Sequence, residues 1–89
     1  MRAVITVVGK DTVGILASVS GICAKYQINI TEVSQSVMED MFCMIMMADI
    51  SSSTVGFTEF ADELSKYGEE NCLSIHAMHE DIFNSMHRI

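Results

Sequence analysis

The run Gly9-Lys10-Asp11-Thr12-Val13-Gly14-Ile15 gathers most of the chemistry this chain offers. It follows an apolar, strand-like segment and opens an amphipathic helical one. A strand-to-helix junction leaves the first-turn backbone N–H groups without internal partners, and the helix dipole adds partial positive charge there. Gly14, lacking a Cβ, lets a ligand come close to that backbone. Asp11 or Thr12 can serve as N-cap, and an uncapped Asp11 carboxylate can instead meet a cation. The plain alternative is a capped turn that binds nothing.

Other chemistry-bearing residues form weaker patterns. His76, His79, Glu80, Asp81 and His87 gather towards the C-terminus. On a strand, however, His76 and His79 point to opposite faces, a poor geometry for sharing a metal. The methionines at 41, 44, 46 and 47 lack a neighbouring cysteine or histidine motif, so they read as core packing rather than soft-metal ligands. Cys23, Cys43 and Cys72 form no CxxC and are odd in number, which favours free thiols in a reducing, cytoplasmic setting. No nucleophile elbow, P-loop or HExxH motif is present, and the expectation is a protein that is not an enzyme and needs no cofactor or metal.

The elements that must position the loop follow from hydropathy. Residues 3–8 are β-branched and apolar on both faces, as in a central strand. A helix is expected from about Val13 to Tyr26, with Ile15, Leu16, Val19, Ile22, Cys23 and Tyr26 at three- and four-residue spacing. Gly21 within it suggests close packing on the sheet. A second strand, Ile28 to about Met38, is polar and changes phase near Thr31–Glu32, which points to an edge strand with a bulge. Glu39-Asp40 makes a tight turn into a third strand, residues 41–50, apolar on both faces and paired to the first.

Ser51–Thr54 should cap a second helix reaching about Tyr67, its apolar stripe being Phe57, Phe60, Ala61, Leu64 and Tyr67. Gly68 is placed to end it in a left-handed cap. A last strand runs from Cys72 to about His79. A helical tail capped at Asp81 follows over residues 81–89, with Ile82, Phe83, Met86 and Ile89 on one side. That tail is too apolar to fray and should dock on residues 1–80 or on a second copy.

The order β-α-β-β-α-β with right-handed crossovers gives an α+β, ferredoxin-like sandwich: a four-stranded antiparallel sheet with two helices on one face. Eighty-nine residues make one domain, yet 49% are hydrophobic, more than so small a domain easily hides. The other sheet face has only the tail to cover it, so a homodimer is expected. Face to face over the bare sheet is favoured over edge to edge through the second strand, whose polar residues offer little apolar area, although the two can coexist. A net charge of −7 argues against nucleic acid or an anionic membrane as partner.

The element order, the Gly9–Ile15 loop and Ile28-Asn29-Ile30 opening the second strand resemble an ACT domain over residues 1–80. The whole sequence is similar to a family of small stand-alone ACT proteins with a tail like His79-Glu-Asp-Ile-Phe-Asn-Ser-Met-His-Arg88. It also resembles the ACT repeats of the glycine cleavage system transcriptional regulator. The resemblance implies a regulatory module that binds an amino acid or other small ligand between copies, through Gly9, Lys10, Asp11, Thr12, Gly14, Ile15 and Asn29. An α-carboxylate would take N–H bonds near Gly14, Asp11 would pair with the α-ammonium, and Asn29 would reach the ligand from across the interface. Gly9 stands where some amino-acid-binding relatives carry a histidine, and Asp11 where many carry asparagine. With no effector domain in the sequence, the module would act on a separate protein. The competing reading is a dimeric protein-interaction module whose loop is merely a helix cap. Acylphosphatases share the fold class but use a loop arginine, where this chain has Lys10.

Overall fold

The computed structural model describes residues 2–10 and 14–86. Its elements are β1 (Arg2–Lys10), α1 (Ile15–Lys25), β2 (Asn29–Met38), β3 (Met41–Asp49), α2 (Phe57–Glu70), β4 (Leu73–His79) and α3 (Glu80–Met86). The strands form one antiparallel sheet in the order β2-β3-β1-β4, the ferredoxin-like arrangement expected. The two strands that are apolar on both faces, β1 and β3, are central. The polar β2 is an edge, and its register slips between Ile30 and Glu32, where the phase change predicts a bulge. Glu39 adopts a φ of 58°, giving the β2–β3 turn a left-handed residue without glycine.

One face of the sheet carries the main core. Ile5 and Val7 of β1, Phe42, Met44, Met46 and Ala48 of β3, and Leu73 and Ile75 of β4 meet Ile15, Val19 and Cys23 of α1 and Phe60 and Leu64 of α2. Phe60 and Leu64, fully buried and one turn apart, each contribute on the order of 1.5–3 kcal/mol. The carboxylates of Glu59 and Asp62 take the solvent side of that helix.

Several local expectations need correction. β1 extends through Lys10, so Gly9 and Lys10 lie in a strand rather than a loop. The N-cap of α2 is Gly56, not a residue of Ser51–Thr54; the Ser53 hydroxyl is spent on the backbone of Val55. Gly68 does not end α2. It sits inside the helix and is buried against β4, while the left-handed residue of that connection is Cys72 at φ 59°. Gly21 is exposed, and a Cβ there would meet nothing within 4 Å, so close packing does not explain it. Leu16, placed on the apolar stripe of α1, is 37% exposed.

The face away from α1 and α2 is divided. α3 follows β4 without a loop, starting at Glu80 rather than after a cap at Asp81, and packs on β1 and β4. Val4, which alternation turns to this face, is 1% exposed. Arg2 pairs with Glu80 through Nε at 3.0 Å and Nη2 at 2.5 Å, tying α3 to the start of β1. Beyond α3 the same face is bare: Val8, Met41 and Ile45 are each more than 40% exposed. Ile89 and His87 of the expected tail lie outside the described residues.

Candidate functional site

The loop residues divide by what the backbone requires of each. Gly14 is the N-cap of α1, with φ 87° and ψ 7°, a left-handed conformation that a residue with a Cβ adopts only under strain. A Cβ there would meet nothing within 4 Å, so conformation, not crowding, calls for glycine, and the space beside it is open. Among the described residues no side chain caps α1, and its first turn holds no acidic residue. Its first carbonyl bond runs from the Ser18 N–H to the Gly14 oxygen at 2.9 Å. A helix start of this kind offers unpaired N–H groups to an anion. The N-cap position expected of Asp11 or Thr12 is held by Gly14 instead, because α1 starts at Ile15 rather than Val13; Asp11 and Thr12, also expected to meet a ligand, lie outside the described residues.

Gly9 answers to a different constraint. It pairs with Phe42 on one side and Leu73 on the other, and a Cβ would fall 2.5 Å from Leu73 Cδ2 and 3.3 Å from the Cys72 carbonyl. Its small size serves the approach of β4. Lys10, at the end of β1 opposite Met41, is exposed. Ile15 is 3% exposed and belongs to the core, anchoring the first turn of α1.

Asn29 is exposed at the first position of β2, but it is not near Gly14. It pairs with Asp49, which pairs with Arg2; Lys10 pairs with Met41, which pairs with Met38. Arg2 and Lys10 are the two ends of β1, so Asn29 and the loop stand at opposite ends of the sheet, about 26 Å apart along the strands. Gly9 and Lys10 close β1, Gly14 and Ile15 open α1 a few residues further along the chain, and Asn29 lies at the far end of the sheet.

Sequence reading missed two further arrangements, both joining residues distant in the chain. Between the helices, the Tyr26 hydroxyl donates to the Glu63 carboxylate and Lys25 Nζ lies 3.4 Å from it. The Tyr26 bond, then Lys25, holds the Glu63 carboxyl below the usual carboxylate range, and the same bond raises the Tyr26 hydroxyl. At the Arg2 end, a hollow of about 500 Å³ is lined by Arg2, His79, Glu80, Asp81 and Ile82. The His79 ring stacks on Phe57 with centroids 4.3 Å apart, and its Nδ1 is buried without a partner among the described residues. Strand alternation could have placed His79 on the helix-covered face, but its partner ring was not readable. Among the described residues no group of three His, Cys, Asp or Glu side chains is set to hold a metal, and no helix is long and apolar enough to cross a membrane.

Comparison with known proteins adds the family. A model described as an ACT domain matches residues 2–77. A UPF0237 protein of Listeria innocua is 52% identical over 89 residues, covering the whole of both chains. The solved structure of an ACT domain protein from Streptococcus pneumoniae is 37% identical, covers 93% of each chain and superposes with a TM-score of 0.80. A structure described as a glycine cleavage system transcriptional repressor, 23% identical with a TM-score of 0.73, covers 86% of this chain and 44% of its own; it shares the fold. With its βαββαβ sheet and a left-handed glycine opening the first helix, the chain belongs to the ACT-domain family, whose members are generally small-ligand-binding regulatory modules, and to the UPF0237 group within it.

Proposed function

We propose that this chain is a cytoplasmic, non-catalytic sensor that binds an amino acid between two copies of itself and acts on a separate protein. The observation that supports it is the separation of Gly14 from Asn29. A two-fold axis that sets the β2 edge of one copy antiparallel to that of a second reverses strand direction. Asn29 of the partner subunit then stands level with Met38, and so with Lys10 and Gly14. The α-carboxylate is received by the free N–H groups at the start of α1, where Gly14 leaves the approach open. Asp11 pairs with the α-ammonium, and the amide of Asn29 supplies one donor and one acceptor group from the other side. Each site is incomplete in a single chain.

A thermal-shift screen of the standard amino acids at millimolar concentration tests this. At ten times Kd a specific ligand adds about 1.4 kcal/mol, which raises the melting temperature of a domain this size by roughly 6–11 °C. Asp11→Ala and Asn29→Ala should each abolish the shift. Mixing the two variants should restore binding to about a quarter of the sites, because a mixed dimer holds one intact and one doubly altered site. If no amino acid moves the transition, the ligand-free interaction module becomes the better account. Binding that survives Asn29→Ala would refute the shared site.

A further inference from the structure

We propose that the bare half of the open sheet face and the outer side of α3 form a second, reciprocal interface between copies of this chain, separate from the β2 edge. α3 covers the half of the face where β1 begins and buries Val4. The half where β1 ends is uncovered, and Val8, Met38, Met41 and Ile45 are 41–62% exposed there. α3 itself carries a second apolar side. Ile82 and Met86, one turn apart, are 52% and 65% exposed, although the helix is already seated on the sheet.

The two surfaces fit by symmetry. A two-fold axis lying between facing sheets and crossing the strands turns each copy's covered end towards the other's bare end. Each α3 then lays Ile82 and Met86 against the other copy's uncovered half, and the contact is made twice. Divided between the two surfaces, these six residues leave on the order of 600 Å² exposed per copy, with apolar side chains on both. Buried completely, these residues would bring two copies to about 1,200 Å², the lower bound of a stable specific interface, before the half-buried Cys43 and Met47 are included. The occupant is a second copy because the two surfaces lie on one chain and complement one another. Only the final stoichiometry rests on the edge pairing proposed above: both axes together make a four-chain assembly with D2 symmetry.

Light scattering on the intact protein at micromolar concentration tests the proposal, comparing wild type with Ile82→Glu/Met86→Glu. Four chains falling to two, with the amino-acid thermal shift retained, is the expected result. Two chains falling to one would support the sheet-face contact and refute the edge pairing. A double variant that keeps the wild-type mass, or a wild type that is a lone subunit, overturns the proposal. A second measurement does not depend on charge. Met86→Cys with Cys72→Ser, treated with a bismaleimide of about 8 Å reach, should give a covalent dimer through Cys43 of the other copy. Cys43→Ala should abolish that dimer, and no covalent dimer in its parent also overturns the proposal.

Discussion

Two helical glycines, Gly21 in α1 and Gly68 in α2, should respond to alanine with opposite signs. In a helix interior alanine is favoured over glycine by about 0.5–1 kcal/mol, mainly through backbone entropy. At Gly21 nothing lies within 4 Å of the new methyl, so that gain should appear almost whole. At Gly68 the methyl would fall 2.7 Å from the Leu73 carbonyl oxygen and 3.1 Å from Ile75 Cγ1. The carbonyl is backbone, held by β4, and cannot swing aside as a side-chain tip would. α2 must therefore retreat from β4, and overpacking of this kind costs about 1–3 kcal/mol, more than the propensity gain. Gly68→Ala should lose about 1–2 kcal/mol net, and Gly21→Ala should gain about 0.5–1 kcal/mol. Urea unfolding followed by circular dichroism, at one protein concentration so that the association proposed above would contribute equally to every sample, reads both. With a slope near 1–2 kcal/mol per molar, Gly68→Ala should lower the midpoint by roughly 1 M. A Gly68→Ala protein as stable as wild type would show that the tight approach of α2 to β4 is not what this glycine serves.

Other predictions concern the side chains that join distant segments. Burial pushes the Cys23 thiol up to about 11, so a thiol reagent at pH 8 should label exposed Cys72 at once and Cys23 only as the protein unfolds. Equal labelling rates would contradict the burial. Glu63 has a depressed folded pKa, so its contribution to stability is present above the unfolded carboxylate value and is lost as pH falls through the folded one. Tyr26→Phe should raise the Glu63 midpoint in an NMR titration and flatten the acid limb of the stability curve. An unmoved midpoint would show that the Tyr26 hydroxyl is not the cause. Arg2→Ala, which removes both contacts to Glu80, should speed hydrogen exchange along α3 while leaving exchange in β1 and β3 unchanged.

The sheet and its order were legible because hydropathy carries them. Continuous apolar runs marked β1 and β3 as central, and the slip of alternation at Thr31–Glu32 located the bulge. What was not legible depended on partners far along the chain. Gly68 looks like a helix stop until Leu73 and Ile75 are seen pressed against it. The left-handed duty it was assigned falls to Cys72, a residue type with no preference for it. The candidate site shows the same division. Gly14 was legible only as a gap that lets a ligand approach; that it is the left-handed N-cap of α1 needed the backbone angles. That Gly9 makes room for β4, and that Asn29 lies a strand's length from the loop, needed the register.

The distribution of methionine sulfur bears on how this protein would age. Met44 and Met46 are sealed beneath the helices at 1% and 0% exposure, whereas Met38, Met41 and Met86 lie open at 62%, 43% and 65%. A mild oxidant such as peroxide reaches the open thioethers first and turns each into a polar sulfoxide. Damage would begin on the skin of the subunit and spare its interior, so the contact between copies proposed above would fail well before the fold of any one of them came undone.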